Sequence, residues 1–210
     1  MKFIYLLLFF IVYIFDLHYF GNINYYITLL NFKNIEFAPQ LPFQKGWFSN
    51  KCEVASATGT LKLTIPILGG RNQKALLKDV RIAYHENWRH RHLRAIETCY
   101  GNSAFFDFYF LEFENLFKKH FNFLIDLNLH AHDVVMGILK SNQKYIISEK
   151  VLNHNEVLFS KFYSSNLNTQ NFKLKYEQVF ENKNGFIENL SIIDLIFCMG
   201  PQAFKHLKKS

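Results

Sequence analysis

Short strand-like segments alternate with helical segments along this sequence. The runs rich in β-branched and aromatic residues, which predict strands, are 35–38, 52–55, 61–67, 80–84 and 145–148. The runs with helical periodicity are 24–31, 87–100, 104–121 and 126–139. Interleaved strands and helices favour a sheet with helices packed on it. We therefore predict an α/β fold with a mixed sheet, as one domain over residues 13–210, preceded by an apolar extension at 1–12.

Two strand-like runs lie close enough in the chain to pair as a β-hairpin insertion. Residues 52–55 and 61–67 flank a turn signal at Thr58-Gly59, which predicts a hairpin with a loop of four or five residues. The strand at 145–148 is expected to pair with a segment near 173–180.

The composition supports a sizeable core and narrows the class of protein. Half of the 210 residues are hydrophobic and 18% are aromatic, a balance that excludes a disordered chain. The formal net charge is +7, but the basic residues are dispersed, with the densest run at 89–94. No RNP-like, zinc-finger or basic-zipper pattern accompanies them, so nucleic acid is disfavoured as a partner.

The amino-terminal run at 3–15 carries no charged residue. It is shorter than the ~20 apolar residues that a helical membrane span needs, and no small-residue cleavage site follows it. Three interpretations remain open: a buried strand with an apolar extension, a weak membrane anchor, or a start codon assigned too far upstream.

Cysteine and histidine spacing gives no metal or cofactor motif. Cys52, Cys99 and Cys198 are far apart and form no CxxC pair, so reduced thiols are expected. The histidines near residue 90 lack the i, i+4 spacing of a helical zinc site. No GxSxG, P-loop or GxGxxG occurs, and we predict neither a cofactor nor a metal.

Two acidic residues lie in apolar surroundings. Asp126 and Asp194 are each flanked by aliphatic residues, where either can cap a helix or orient a partner side chain.

Two segments carry the side chains that could perform chemistry. They are the loop 45–51 (KGWFSNK) and the start of the helix at 87–100. Histidine titrates near neutral pH, so His92 is the candidate general base. Cationic and amide side chains can hold a phosphate or carboxylate, and indole rings can shape a pocket. The predicted substrate- and anion-binding residues are Lys45, Asn50, Lys51, Arg89, Trp47 and Trp88. The structural alternative is a packed histidine, solvated lysines and core tryptophans.

Five motifs in order resemble the WbqC-like proteins of bacteria. They are residues 19–26, the loop 45–51, the strand 63–67, residues 79–82 with the helix that follows, and residues 185–197. The resemblance extends over about residues 13–207. Lys51 stands where the family usually has arginine, and residues 1–10 extend beyond the usual start.

This resemblance implies a cytoplasmic protein linked to O-antigen or related surface-polysaccharide biosynthesis. The activity it suggests is transfer of an acyl or aminoacyl group to an amino sugar, from a small-molecule donor such as a nucleotide sugar or an activated acyl group. The alternative is a non-catalytic binding or scaffold protein of the same machinery, with a membrane contact through residues 3–15.

Overall fold

The computed structural model describes residues 13–44, 46–70, 74–149 and 174–209. In chain order the first elements are β1 (Tyr13–Phe15), α1 (Ile23–Leu30), β2 (Asn34–Phe37), β3 (Lys51–Ser56), β4 (Gly59–Thr64) and α2 (Trp88–Tyr100). They are followed by α3 (Phe106–Lys118), α4 (Leu124–Ile138), β5 (Lys144–Ile147), α5 (Glu181–Asn184), α6 (Ile192–Met199) and α7 (Ala203–Lys209). Short 3-10 turns occur at Leu77–Asp79 and Gly200–Gln202.

Three parallel strands form the larger sheet, in the order β1-β2-β5. In the register of the central strand, Phe37 lies opposite Phe15 on one side and Ile147 on the other. Side chains alternate across a strand, and Phe15, Ile35 and Phe37 point into the core, where each is at most 1% exposed. Parallel pairing requires a long crossover connection. Here α1 lies between β1 and β2, and the hairpin and helices α2 to α4 lie between β2 and β5. The predicted α/β class and single domain are confirmed.

The predicted hairpin is present as the second sheet, with a shorter loop than expected. Ser56 lies opposite Gly59, so only two residues connect β3 to β4. Gly59 has a φ of 107°, a backbone conformation that favours glycine at this turn.

Two strand predictions were wrong. Residues 80–84 form no strand, because Arg81 and Ile82 make only single bridges, to Phe123 and Ile67. The segment expected to pair with β5 is also not a strand over its described part, 174–180. The pairing partner of β5 is β2, from much earlier in the chain.

Helix α2 buries the face that its sequence predicts. Trp88, His92, Ile96 and Cys99 are each at most 4% exposed, and Ala95 is half-buried. The helix ends at Tyr100, where Gly101 follows as the C-cap residue.

Helix α3 packs beside α2 through its aromatic residues. Phe113 and Phe117 are buried, whereas Phe106, Tyr109 and Phe110 pack against the core while remaining half-buried. The predicted inward face of this helix is therefore confirmed.

Helix α6, near the carboxy terminus, is joined to the segment after β1 through its N-cap residue Ser191. The Ser191 hydroxyl accepts from the N–H of Ile193 and donates to the carbonyl of Phe20 at 2.7 Å. Within the four described stretches, no helix combines the length and the apolar character needed to cross a membrane.

Candidate functional site

A buried carboxylate–imidazole pair lies directly after β1. His18 Nε2 donates to Asp16 Oδ2 at 2.7 Å, and each residue is only 2% exposed. The second carboxylate oxygen, Oδ1, is buried and has no hydrogen-bond partner among the described residues. In open parallel sheets, ligands bind beyond the carboxyl ends of the strands, which is where this pair lies.

Aromatic rings enclose the imidazole of His18. The ring of Tyr25 stacks on it with centroids 4.3 Å apart, and the ring of Phe48 lies 5.8 Å away. The Tyr25 hydroxyl donates to the backbone carbonyl of Asp16 at 3.0 Å. The N–H of Tyr19 donates to the carbonyl of Phe48 at 2.9 Å, which attaches the predicted loop to the segment that follows β1.

Lys51 extends this group at the loop's far end. Its Nζ atom lies 4.9 Å from the centroid of the Phe48 ring, a cation–π contact. Partial burial, followed by the nearby charge of Lys62, lowers the pKa of Lys51, while Glu53 acts in the opposite direction. One predicted anion-binding residue is therefore one ring away from the Asp16–His18 pair.

Asn50 anchors the hairpin through its side chain. Its amide donates to the carbonyl of Ile65 at 3.0 Å, and the N–H of Ile65 donates back to the Asn50 carbonyl at 2.8 Å. The residue is 8% exposed. Its predicted anion contact stays a prediction, and one of the two amide N–H groups that could make such a contact already has a partner.

Replacing Asn50 with alanine should lower the free energy of unfolding by ~1–3 kcal/mol, because a buried carbonyl loses its donor. Urea denaturation of Asn50→Ala and of the parent chain measures this difference. An unchanged denaturation midpoint would contradict the anchoring role.

His92 lies in the core rather than at a solvent-facing position. Its Nε2 donates to the carbonyl of Thr64 at 3.2 Å, so in the neutral ring Nδ1 accepts from the Tyr19 hydroxyl at 2.9 Å. Burial lowers the pKa of His92 to about 4, against the raising effect of the bond to Thr64. The general-base role stays a prediction, and these contacts give the ring a packing and hydrogen-bonding role.

Trp88 and Arg89 have separate environments. Trp88 is 1% exposed and packs against His92 and Phe117, and its indole nitrogen has no hydrogen-bond partner within the described ranges. Arg89 Nη1 donates to the carbonyls of Phe117 and Lys119, at 3.4 and 3.1 Å, and so closes the end of α3. These contacts place Arg89 with α3, whereas those of Lys51 place it with the hairpin. Trp47 is half-buried in the loop, and Lys45 lies outside the described residues.

The cysteines are free. Burial raises the pKa of Cys52 and brings that of Cys99 to about 11, so both thiols are protonated at neutral pH. In the part of the chain that the structure describes, no three His, Cys, Asp or Glu residues group closely enough to hold a metal ion.

A surface pocket of about 590 Å³ lies between the hairpin turn and α2. Arg94, Thr98 and Cys99 line it from the helix, and Phe180 closes another side. None of the predicted site residues that the structure describes lines this pocket.

Sequence reasoning missed the Asp16–His18 pair. Both residues follow the apolar run at 3–15 and were assigned no role. The signal that could have found them is an acidic residue and a histidine two apart, immediately after a strand. Side chains at i and i+2 share one face of an extended chain, and the 2.7 Å contact shows that these two side chains meet.

Comparison with known proteins gives a family and no individual relative. No curated protein and no solved structure matches this chain. The WbqC-like protein family matches residues 18–162. This range is shorter than the resemblance predicted, because it stops before the motif at 185–197. It nevertheless includes His18, the loop 45–51 and helix α2, and it covers well over half of the sequence, so this chain belongs to the WbqC-like protein family.

Proposed function

We propose that this chain is a transferase of surface-polysaccharide biosynthesis, which moves an acyl or aminoacyl group from an activated, anionic donor to an amino sugar. The observation that carries the proposal is the Asp16–His18 hydrogen bond at the carboxyl end of β1. The family resemblance supplies the polysaccharide setting, and the pair supplies acid–base chemistry suited to acyl transfer.

In the proposed reaction, the sugar amine attacks the activated carbonyl carbon and a C–N bond forms. His18 takes the proton that the amine releases, and Asp16 stabilises the imidazolium. The bond between the carbonyl carbon and the donor's leaving group then breaks, and the proton passes to that leaving group. No oxidant, reductant or metal is needed for this step.

Access to the pair depends on the loop over it. Asp16 and His18 are buried, and Phe48 covers the imidazole. Gly46, with a φ of 91°, stands at the start of this loop in a conformation that glycine adopts without strain. We propose that the loop moves when a donor binds, and that Lys51 then faces the anionic part of the donor.

Thermal unfolding in the presence of nucleotide sugars, coenzyme A thioesters, aminoacyl donors and free nucleotides tests the binding step. A ligand at a hundred times its dissociation constant stabilises the fold by ~2.7 kcal/mol, which shifts the midpoint clearly. We expect Lys51→Gln to remove this shift. The matched control is Lys62→Gln, which removes a lysine from the same hairpin and should retain the shift.

The catalytic step requires a different variant. Asp16→Asn keeps the shape of the side chain but removes its charge. We expect it to bind the donor and to lose product formation with an amino-sugar acceptor, measured by mass spectrometry. Full turnover by Asp16→Asn would overturn the acid–base assignment.

One observation favours the non-catalytic alternative. Asp16, His18 and His92 are all at most 4% exposed. A binding or scaffold protein can keep such groups closed, whereas an enzyme must open to them. Donor binding without product formation by the parent chain would support this alternative.

A further inference from the structure

A second group of basic side chains gathers where α2 begins and α3 ends. Arg89 comes from the first turn of α2, Lys119 and His120 directly follow α3, and His130 comes from α4. We call these four residues the basic cluster. None of its contacts involves the Asp16–His18 pair or the loop 46–51, so this inference does not depend on the proposed function.

Tyr84 holds two members of the basic cluster in place. The guanidinium carbon of Arg89 lies 5.2 Å from the centroid of the Tyr84 ring, and the ring of His120 stacks on it at 4.3 Å. The Tyr84 hydroxyl is itself fixed, because it donates to the carbonyl of Phe121 at 2.9 Å. Arg89 is further oriented by the carbonyls at the end of α3. The Arg89 guanidinium and the His120 ring are therefore preorganised by contacts that leave the charge of Arg89 unneutralised.

Lys119 and His130 form the other half of the cluster. Lys119 Nζ lies 2.9 Å from His130 Nε2, a contact that requires a neutral imidazole as acceptor. Partial burial and the charge of Lys119 lower the pKa of His130, whereas Asp133 raises it. The carboxylate of Asp133 also accepts from the Tyr145 hydroxyl at 2.9 Å.

The carboxylates nearest in sequence to Arg89 and Lys119 are paired elsewhere. Glu86 pairs with Arg91 and His85, and Glu114 pairs with Lys118 at 3.2 Å. Among the described residues, neither Arg89 nor Lys119 has a carboxylate within 4.0 Å. Gathering cations in one place costs Coulomb energy that a bound anion removes.

We propose that the basic cluster binds a phosphate group. Arg89 is suited to two parallel hydrogen bonds with phosphate oxygens, and Lys119 supplies a point charge. His130, beside these cations, can become protonated when a dianion arrives, which adds positive charge next to the ligand. Phosphate of this kind occurs on free diphosphate-linked metabolites and on anionic lipid headgroups, and the test separates these sources.

The first measurement is calorimetric titration of the full chain with inorganic pyrophosphate, at ionic strength held constant with chloride. Lys119→Gln tests the cluster, since its Nζ atom contacts only His130 among the hydrogen bonds of the described residues. Lys205→Gln, on the exposed surface of α7, is the control because it changes the net charge equally. We expect saturable binding that weakens about tenfold in Lys119→Gln, the loss of one charge-assisted contact, and is unchanged in Lys205→Gln.

The second measurement is co-sedimentation with phosphatidylcholine vesicles that contain or lack phosphatidic acid. Binding only to the phosphatidic acid vesicles, reduced in Lys119→Gln, identifies a lipid headgroup as the source of the phosphate. Binding of pyrophosphate alone identifies a free ligand. An equal response of Lys119→Gln and Lys205→Gln in both measurements, or no binding in either, would overturn the proposal.

A readout at the cluster itself complements these measurements. The pKa of His130, followed by NMR of its imidazole, should rise when pyrophosphate binds. A His130 titration that pyrophosphate leaves unchanged would contradict direct binding at this cluster.

Discussion

Acidification should unfold this protein, because two of its core histidines are buried in the neutral form. Burial lowers the pKa of His92 to about 4 and that of His132 to about 3, from an ordinary value of 6.5. Below pH 6.5 the unfolded chain therefore binds protons that the folded chain does not. The stability from neutral burial is complete above pH 6.5 and is lost as the pH falls towards 4 and 3.

The size of this effect is a large part of the total stability. At roughly 1.4 kcal/mol for each pH unit between unfolded and folded values, His92 contributes about 3 kcal/mol and His132 about 5 kcal/mol. A domain has only ~5–15 kcal/mol in all. Asp194 acts in the opposite direction, since burial raises its pKa and protonation relieves the cost of its buried charge.

Urea denaturation at a series of pH values measures the effect. Of the two histidines, His132 is the better one to replace, because its pKa is lowered further. His132 is 3% exposed, packs between the rings of Phe37 and Tyr145, and has a ring nitrogen, Nδ1, without a hydrogen-bond partner among the described residues. His132→Leu should make the stability less dependent on pH below 6.5. His90→Leu, at an exposed position of α2, should leave the pH dependence as it is. Equal pH dependence in both variants would contradict this account.

The elements with strong periodicity were predictable from the sequence. The face of α2 that carries Trp88, His92, Ile96 and Cys99 follows from helical spacing, because a buried stripe must recur every three to four residues. The strand predicted at 80–84 was wrong although its residues alternate as a strand requires. Arg81 and Ile82 form isolated bridges to Phe123 and Ile67 instead of a continuous ladder with one partner strand. Local pattern does not specify which partners are within reach.

The candidate site was harder to predict because it depends on distant contacts. The residue types of the loop 45–51 marked it as a candidate site. That His18 lies beside this loop follows only from the stacking of its ring on Phe48, which is thirty residues away in the sequence. The sequence also cannot show that both nitrogens of His92, the candidate general base, have hydrogen-bond partners in Tyr19 and Thr64. Arg89 was grouped with Lys51 by charge alone, whereas its guanidinium contacts the backbone carbonyl of Lys119 at the end of α3.

Replacing Asp194 should destabilise the fold strongly, because this buried carboxylate holds the carboxy-terminal part of the chain to the core. Asp194 is 0% exposed and accepts from the hydroxyls of Tyr100 at 2.8 Å and Tyr176 at 2.5 Å. The amide of Gln178 donates to it at 3.2 Å and also to the carbonyl of Ile187. One side chain therefore joins α2, α6 and the segment at 174–187.

Two roles were predicted for acidic residues in apolar surroundings, capping a helix or orienting a partner side chain. Asp194 orients its partners, whereas Asp126 is exposed in the first turn of α4.

We expect Asp194→Ala to lower the free energy of unfolding by ~3–5 kcal/mol, since two buried tyrosine hydroxyls lose their acceptor. Tyr100 keeps one partner, because its oxygen accepts from the N–H of Ala55 at 3.1 Å. The loss should therefore fall mainly on Tyr176 and Gln178, and limited proteolysis should cut the segment at 174–187 sooner than the rest of the described chain. Asp194→Asn keeps one acceptor oxygen and should cost less than the alanine variant.

Asp126→Ala is the matched control, because it removes the same carboxylate from an exposed position. It should change the stability by less than ~1 kcal/mol, as an exposed first-turn acid does. Equal stability of Asp194→Ala and Asp126→Ala would contradict this account. It would mean that the desolvation cost of the buried Asp194 carboxylate cancels the stabilisation from its hydrogen bonds, and that the hydroxyls of Tyr100 and Tyr176 find other acceptors. The rate of proteolysis at 174–187 provides a second test. Cleavage there should become faster in Asp194→Ala if the carboxylate holds this segment in place, and should stay unchanged if it does not.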